Sequence, residues 1–269
     1  MQEISPKPAV MEMETQVQPE LPTTPAPEEL IAIGEKLRES PADIDLWIEK
    51  GQALRKVMNF RAEIDAYSQG LGYAPFSSKL YLHRGHAYIN IRRYREGAAD
   101  LELAARLDSN DWDIWYHLGL SYYLVGDFAR AAKAYEGCFA VPNVRPGYFY
   151  GATDWYCLTL MRQNRLKEMR AAAARVLADM PGDDHHEYFN RVLVYNGSRT
   201  LDEVYQEATQ KDDHHFATGV YGLAVYCERV LKDRTRAYEM LKEVRKRSTM
   251  WSGFAALGAY EQLKEYEGQ

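Results

Sequence analysis

The first half of this chain is organised by aromatic residues and glycines that recur every 34 positions. The aromatic positions are Trp47, Tyr81 and Trp115, and the glycine positions are Gly51, Gly85 and Gly119. A further aromatic set with the same step is Phe60, Tyr94 and Phe128. A fixed period of this length indicates a repeated supersecondary unit that buries its apolar face against its neighbours, because one unit alone has too small a core.

Each repeat is predicted to be two short helices, and residues 111–142 show the pattern most completely. The spacing i, i+3, i+4 and i+7 places one set on a single face of the first helix: Trp115, Leu118, Gly119 and Tyr122. One face of the second helix carries Ala131, Tyr135 and Cys138. Gly126 and Asp127 break the chain between the two helices. The sequence therefore predicts a helical hairpin.

This hairpin resembles the tetratricopeptide repeat family. The residues that carry the resemblance are Trp115, Leu118, Gly119, Tyr122, Ala131, Tyr135, Cys138 and Pro142. The first two repeats depart from the pattern at Lys50 and Arg84, which stand where leucine is usual. The resemblance implies an all-α, right-handed superhelical solenoid of antiparallel helical hairpins, with about five to six repeats plus capping helices. In layout the chain is also similar to bacterial adaptors of the periplasmic repeat lipoprotein type.

Composition divides the chain into a tail and a repeat domain. Residues 1–27 hold six of the 11 prolines and no large aromatic residue, which predicts a disordered Pro/Glu-rich tail because little apolar area could be buried there. A repeat domain is expected over 28–269. Within it, clear repeats span 43–142, divergent repeats span 143–247, and a capping helix covers 248–267.

The charge balance limits the partners. The chain carries 33 basic and 39 acidic residues, a formal charge of −6, which disfavours nucleic acid because phosphate binding needs a basic surplus. No apolar run is long enough to span a membrane, and no secretory signal is visible. A cytoplasmic location is favoured, and a periplasmic or anchored one stays open if the chain is processed.

The residues that most resemble a metal site are two Asp-Asp-His-His tetrads, at 183–186 and 212–215. Carboxylates and imidazoles suit zinc, which leaves a metal-dependent hydrolase as a minor alternative. Adjacent histidines on a helix point in different directions, however, and aspartate at a helix start accepts hydrogen bonds from free N–H groups. We therefore predict no metal site, no cofactor and no enzyme activity, since no catalytic motif is present either.

The resemblance implies that the first helix of each hairpin lines a concave groove that binds a partner protein. The corresponding residues are Glu49, Gln52, Arg55 and Lys56 in repeat one, His83, His86, Asn90 and Arg93 in repeat two, Tyr116, Leu120, Tyr123 and Leu124 in repeat three, and Trp155, Leu158 and Arg162 in repeat four. The first half is basic and the second aromatic. This order suits a peptide or helix with an acidic portion and a hydrophobic anchor.

The expected function is thus a non-catalytic protein-interaction module or adaptor. The known chaperone-binding clamp of this fold needs cationic and amide side chains at places that here hold Ile48, Gln52, His83, Asp113 and His117, which disfavours a co-chaperone. The alternative is a self-assembling homodimeric scaffold that pairs through Tyr148-Phe149-Tyr150 or the helix containing Trp251.

Overall fold

The computed structural model describes residues 28–181, 186–247 and 251–268, and every regular element in these ranges is helical. The fourteen α-helices are α1 (Glu28–Glu39), α2 (Ile44–Lys56), α3 (Phe60–Tyr73), α4 (Ser78–Asn90), α5 (Tyr94–Leu107), α6 (Trp112–Val125), α7 (Phe128–Ala140), α8 (Pro146–Arg162), α9 (Leu166–Ala173), α10 (His186–Tyr195), α11 (Leu201–Thr209), α12 (Asp213–Tyr226), α13 (Arg234–Arg247) and α14 (Phe254–Glu267). A π-helical turn, Cys227–Leu231, follows α12. The predicted all-α fold of helical hairpins is confirmed. The predicted tail over 1–27 lies outside the described residues.

The chain divides into two compact units, Met1–Phe76 and Ser77–Gln269. In unit 1, α1 packs on α2 and α2 on α3. The Asp43 side chain accepts hydrogen bonds from the first free N–H groups of α2, and Asn59 does the same for α3. Both helices bury one apolar face, so unit 1 is the predicted capping helix followed by repeat one.

Unit 2 contains four hairpins of consecutive helices, α4–α5, α6–α7, α8–α9 and α12–α13. The short helices α10 and α11 lie between the third and the last of these hairpins. First helices also contact one another, as α4 with α6 and α6 with α8. The regular stacking of successive hairpins ends at α8, because α8 contacts α12 directly as well as α10. The last helix, α14, contacts α13, α12 and also α6.

The inter-helix turns keep the 34-residue period. Met58, Arg92 and Gly126 occupy the same place before the second helix of successive hairpins, and all three have positive φ angles, of 57°, 61° and 86°. The next such residue, Asn164, comes four positions later than the period requires, with a φ of 59°. The fourth hairpin is therefore shifted by four residues relative to the period of the first three.

Gly119 has a steric role within its hairpin. A Cβ atom at this position would lie 2.7 Å from the ring of Tyr135 on α7, which is closer than side chains approach one another. Tyr135 is fully buried. The recurrent glycine makes room for a large side chain of the paired helix in each of the first three repeats, since Gly51 faces Tyr67 and Gly85 faces Leu101 in the same way.

Candidate protein-binding groove

The predicted groove residues of unit 1 lie on α2, and most of them are exposed. Glu49, Gln52 and Lys56 face solvent, and the Lys56 ammonium lies 2.8 Å from a carboxylate oxygen of Glu29. Arg55 is different, because its Nε and Nη2 atoms donate to Glu63 Oε1 at 2.7 and 2.5 Å. Exposed Glu49, Gln52 and Lys56 are thus accessible to a partner.

Glu63 gives Arg55 a structural role. The Glu63 side chain is fully buried in α3, and burial raises its pKa even though Arg55 and the Tyr67 hydroxyl favour the charged form. Removing the Arg55 guanidinium would leave this carboxyl group in the core without its cation. Arg55 therefore stabilises unit 1, whatever else it contacts.

The predicted groove residues of α4 are divided between solvent and the interior. Arg93, just after α4, is exposed, with its Nε 2.9 Å from Glu96 Oε1 and its guanidinium 4.8 Å from the centre of the Tyr88 ring. His83 and His86 are half-buried. Asn90 is buried, and its amide donates to the carbonyl oxygen of Ser252 at 2.9 Å.

The predicted groove residues of α6 and α8 are buried, apart from Arg162. The buried set is Tyr116, Leu120, Tyr123, Leu124, Trp155 and Leu158. The Tyr123 hydroxyl is 2.8 Å from that of Tyr221 on α12, and the Tyr123 and Trp155 rings meet edge to face with centroids 5.2 Å apart. Burial raises the pKa of both tyrosines, so both hydroxyls stay protonated. These side chains therefore pack inside unit 2.

The C-terminal segment covers this face of unit 2. The Phe254 ring packs against His86 and His117, with centroid distances of 5.3 and 5.6 Å. These histidines belong to the first helices α4 and α6, which were expected to line an open wall. The preceding Ser252 accepts the Asn90 hydrogen bond described above. Phe254 thus lies on the face of α4 and α6 where a partner was expected.

Polar contacts continue along the same helix. The Tyr94 hydroxyl donates to Glu261 at 3.0 Å, and Arg162 is paired with Glu265. The Arg92 guanidinium lies 4.4 Å from the centre of the Tyr260 ring. Arg162 therefore has an intramolecular carboxylate partner. The chemistry predicted for a ligand, an aromatic anchor followed by acidic residues, is supplied by the chain's own α14.

Of the predicted capping helix over 248–267, the structure has α14 as Phe254–Glu267, and this helix is buried more deeply than a terminal cap. Leu257 and Ala259 are fully buried, and Leu263 is 1% exposed near the end of the helix. Gly258 lies so close to the Tyr221 ring that a Cβ would come within 2.5 Å of it. Because α14 packs against α13 on one side and against α12 and α6 on another, it is part of the core of unit 2.

One sequence signal indicates this burial. The segments of α6 and α12 have no aspartate, glutamate, lysine or arginine beyond their first turn, and α8 has two such residues in 17, in contrast to α2 with four in 13. A helix that is apolar on all sides is covered on all sides, whereas a groove-lining helix keeps a polar stripe. The segment of α14 around Ala255 to Ala259 is also apolar. This shared apolar character could have indicated from the sequence that these helices pack together.

A buried ion pair was missed by sequence reasoning. Arg191 on α10 and Asp154 on α8 are both completely buried and in direct hydrogen-bond contact. Asp154 also accepts from the Tyr195 hydroxyl at 3.1 Å, and Arg191 Nη1 donates to the carbonyl oxygen of Thr218 at 2.6 Å. Burial raises the pKa of Asp154 to about 6, while Arg191 acts to lower it. The pair joins three helices across the core.

The prediction that the second tetrad marks the start of a helix is confirmed. Asp212 caps α12, and its carboxylate accepts hydrogen bonds from the N–H groups of His214 and His215 at 3.0 Å each. These bonds lower the pKa of Asp212. In the first tetrad, residues 183–185 lie outside the described residues and His186 begins α10.

His186, Asp212 and His215 line one cavity of about 630 Å³ together with residues of α11. In the described part of the chain, no group of three or more His, Cys, Asp or Glu side chains is arranged to hold a metal ion. The cavity therefore brings parts of the two motifs together without forming a set of metal ligands among these residues. No helix in the described ranges is long and apolar enough to cross a membrane.

The sequence is similar to repeat proteins over part of its length. The tetratricopeptide repeat family matches residues 78–111 and 113–141. The Hsp70-Hsp90 organizing protein of Triticum aestivum is 33% identical over 106 residues, which are 39% of this chain and 18% of that protein. The heat-shock protein cognate co-chaperone sgt12 of Aspergillus fumigatus is 31% identical over 87 residues, 32% of this chain and 26% of that protein. Tetratricopeptide repeat protein 12 of Mus musculus is 26% identical over 99 residues, 37% of this chain and 14% of that protein. The matched part thus spans about a quarter or less of each relative.

Two solved structures share the fold. A tetratricopeptide repeat protein from Parabacteroides merdae has a TM-score of 0.58 at 12% identity, covering 94% of this chain and 97% of that one. YrrB, a TPR protein with an unusual peptide-binding site, has a TM-score of 0.50 at 16% identity, covering 86% and 98%. At these identities the likeness concerns the fold alone. The residues matched by the tetratricopeptide repeat family coincide with two hairpins of unit 2, α4–α5 and α6–α7.

Proposed function

We propose that the chain is a non-catalytic protein-interaction module that binds a peptide or helical segment of a partner protein. The observation that carries this proposal is the match of α4–α7 to tetratricopeptide repeats, combined with exposed polar side chains on the first helix of repeat one. In unit 1, Glu49, Gln52 and Lys56 offer both charge and hydrogen-bonding groups to solvent. Exposed polar groups of this kind have no packing role and can contact a partner without rearrangement of the core.

The proposal differs from chaperone binding, although two relatives are named as chaperone-associated proteins. The positions that correspond to the chaperone-binding clamp hold Ile48, Gln52, His83, Asp113 and His117. Of these, His117 packs against Phe254. These side chains lack the lysine and arginine pattern that holds a terminal carboxylate. We therefore propose another protein segment as the ligand.

A pair of matched variants tests the α2 surface. Gln52→Glu with Lys56→Glu changes two exposed α2 residues, and we expect it to weaken capture of partner proteins from the native source about tenfold by reversing the local charge. Arg61→Glu with Gln69→Glu makes the same charge change on exposed positions of α3 and serves as the control. Arg55 is left intact because it pairs with buried Glu63. Equal capture by the two variants would rule out this surface.

We further propose that the chain acts as an adaptor of the bacterial periplasmic type. The Pro/Glu-rich composition of residues 1–27 supports it, since such a segment suits a tether between an anchor and a binding domain. Fractionation of the native source decides between this role and the cytoplasmic location that the sequence favours. Recovery with periplasmic markers supports the adaptor, and recovery with cytoplasmic enzymes contradicts it.

A further inference from the structure

A groove on unit 2 remains open although α14 covers the face of the first helices. It runs between α5 and α7, and its floor is formed by α6. It consists of two adjoining cavities of about 290 and 860 Å³, which share Glu102, Tyr122 and Arg130. We call it the α5–α7 groove. None of its residues belongs to the predicted concave set except Arg162 at one end.

We propose that the α5–α7 groove binds an acidic peptide segment of a partner protein that carries one aromatic or leucine side chain. This surface goes beyond the proposed α2 surface, because it lies on other helices and in the other unit. Three features of the groove favour this ligand: an apolar recess at one end, a longer and shallower cavity beside it, and a basic rim.

The smaller cavity is an apolar recess for one side chain. Trp115, Leu118 and Ala134 line it. The Trp115 ring is held in place, because its Nε1 donates to the carbonyl oxygen of Ser109 at 2.8 Å and its six-membered ring packs where a Cβ on Gly137 would lie. At about 290 Å³ the recess is at the lower limit for small-molecule sites, which run from about 300 to 1,000 Å³. A preformed apolar recess of this size suits a single large side chain.

The larger cavity suits an extended backbone. Small residues from both walls line it, among them Ala98 and Ala99 of α5, Ala129 of α7 and Gly126 of the turn. Because alanine and glycine have a short side chain or none, they leave a shallow channel that a peptide main chain can approach closely. The Tyr122 and Phe128 rings interrupt the channel and offer faces for contact.

The rim of the groove is basic on a chain whose net charge is negative. Arg95, Arg106, Arg130 and Lys133 provide four cations, against the carboxylates of Glu102 and Asp127. Lys133 and Arg95 are exposed, and in the described residues neither has a hydrogen-bond or ion-pair partner. The overall charge is −6, so this local surplus does not follow from composition.

The existing ion pairs on the rim do not prevent binding. Arg106 is 3.5 Å from Glu102, and Arg130 is 3.7 Å from Glu102 and 2.6 Å from Asp127. Exposed pairs of this kind contribute little to stability because solvent screens them, so a partner carboxylate can share or replace them. An acidic peptide is favoured over nucleic acid, because a nucleic-acid surface needs a basic excess over a whole domain and this chain is acidic.

Fluorescence anisotropy with a synthetic peptide tests the proposal. The probe is a fluorescein-labelled octapeptide rich in aspartate and glutamate with one central tryptophan. The full chain with Arg106→Glu and Lys133→Glu is compared with Lys167→Glu and Arg170→Glu, which reverses two exposed cations on α9. We expect the groove variant to raise the Kd at least about tenfold and the control to leave it unchanged. Circular dichroism verifies that both variants are folded.

Two further measurements sharpen the result. A probe with glutamine and asparagine in place of the acids should bind at least about tenfold more weakly, and added salt should weaken binding of the acidic probe because exposed charges are screened. The proposal is overturned if the acidic probe does not bind, if the groove variant binds it as well as the control, or if the neutral probe binds equally. Tighter binding of single-stranded oligouridine at the same residues would overturn it as well, by identifying a nucleic-acid surface. Failure of the α2 variants leaves these outcomes unaffected.

Discussion

Residues at the hairpin turns have positive φ angles, a backbone conformation that is strained for every residue except glycine. Gly126 has a φ of 86°, and a Cβ there would meet no atom within 4 Å, so only the backbone angle disfavours a side chain. We expect Gly126→Ala to lower the free energy of unfolding by about 1 kcal/mol. Gly34→Ala within α1, also with free space, should raise stability by up to about 1 kcal/mol. Urea unfolding of both variants checks the opposite signs, and equal signs contradict the argument.

The buried ion pair makes Asp154 sensitive to substitution. Asp154→Leu removes both carboxyl oxygens and leaves the Arg191 charge buried without a partner on α8, so we expect a loss of about 3–5 kcal/mol in the free energy of unfolding. The double variant Asp154→Leu with Arg191→Met removes both charges and should be much closer to the natural protein. Chemical denaturation measures both. A double variant less stable than Asp154→Leu would show that the pair itself stabilises the core.

The same residue predicts how stability changes with pH. Burial raises the pKa of Asp154 from an ordinary value of 3.8 to about 6, so the folded state holds its proton more strongly than the unfolded state. The contribution of Asp154 to the free energy of unfolding is therefore greatest below about pH 4 and falls, by up to about 3 kcal/mol, as the pH rises to about 6. Asp154→Asn resembles the protonated carboxyl group at every pH and lacks this dependence. The stability of the natural protein relative to Asp154→Asn should therefore fall over that range, and a constant difference contradicts the shifted pKa.

At the scale of elements, α14 determines which surface of unit 2 is available. Its Phe254 ring lies against His86 and His117, so it covers the face that the sequence assigned to a partner. Its buried residues Leu257 and Leu263 tie it to the core. A ligand that used the first helices of unit 2 would have to replace these contacts.

Phe254→Ala tests this arrangement. We expect a loss of about 1–3 kcal/mol in stability, because the ring is half-buried, and faster hydrogen exchange along α14. The ring protons of His86 and His117 should shift in NMR spectra as the aromatic neighbour disappears. Phe139→Ala, which removes another half-buried ring of unit 2, is the control, since it should lower stability without moving those histidine signals. Unchanged histidine signals in Phe254→Ala would contradict the contact.

At the scale of the whole molecule, the structure does not favour the homodimer alternative. Tyr150 is 1% exposed and Trp251 is 7% exposed, so the residues expected to pair two copies are used within one chain. We expect sedimentation equilibrium at micromolar concentration to give a single species of 31.0 kDa. A mass of twice this value that persists on dilution would restore self-assembly. The two surfaces proposed for a partner protein, the α2 surface and the α5–α7 groove, use none of these residues.

Local features of the fold could be predicted from the sequence. The 34-residue period predicted the hairpins because each recurrent glycine faces a large side chain of the paired helix within one repeat, as Gly119 faces Tyr135. A capping box at the start of α11 is likewise local, with reciprocal bonds between Thr200 and Glu203. These interactions join residues close in the chain, so spacing alone defines them. The assignment of individual groove residues stays a prediction.

Contacts between distant segments were decided only by the tertiary structure. Asp154 meets Arg191 across 37 positions and Tyr94 meets Glu261 across 167, and no period or motif connects these residues. The apolar character of α6, α8 and α12 indicated that they are covered, but not by which segment. By itself the sequence determined the repeating hairpins, because their stabilising contacts are local. The closure of unit 2 by α14 depended on the packing of all its helices, since the face that α14 covers exists only after they have assembled.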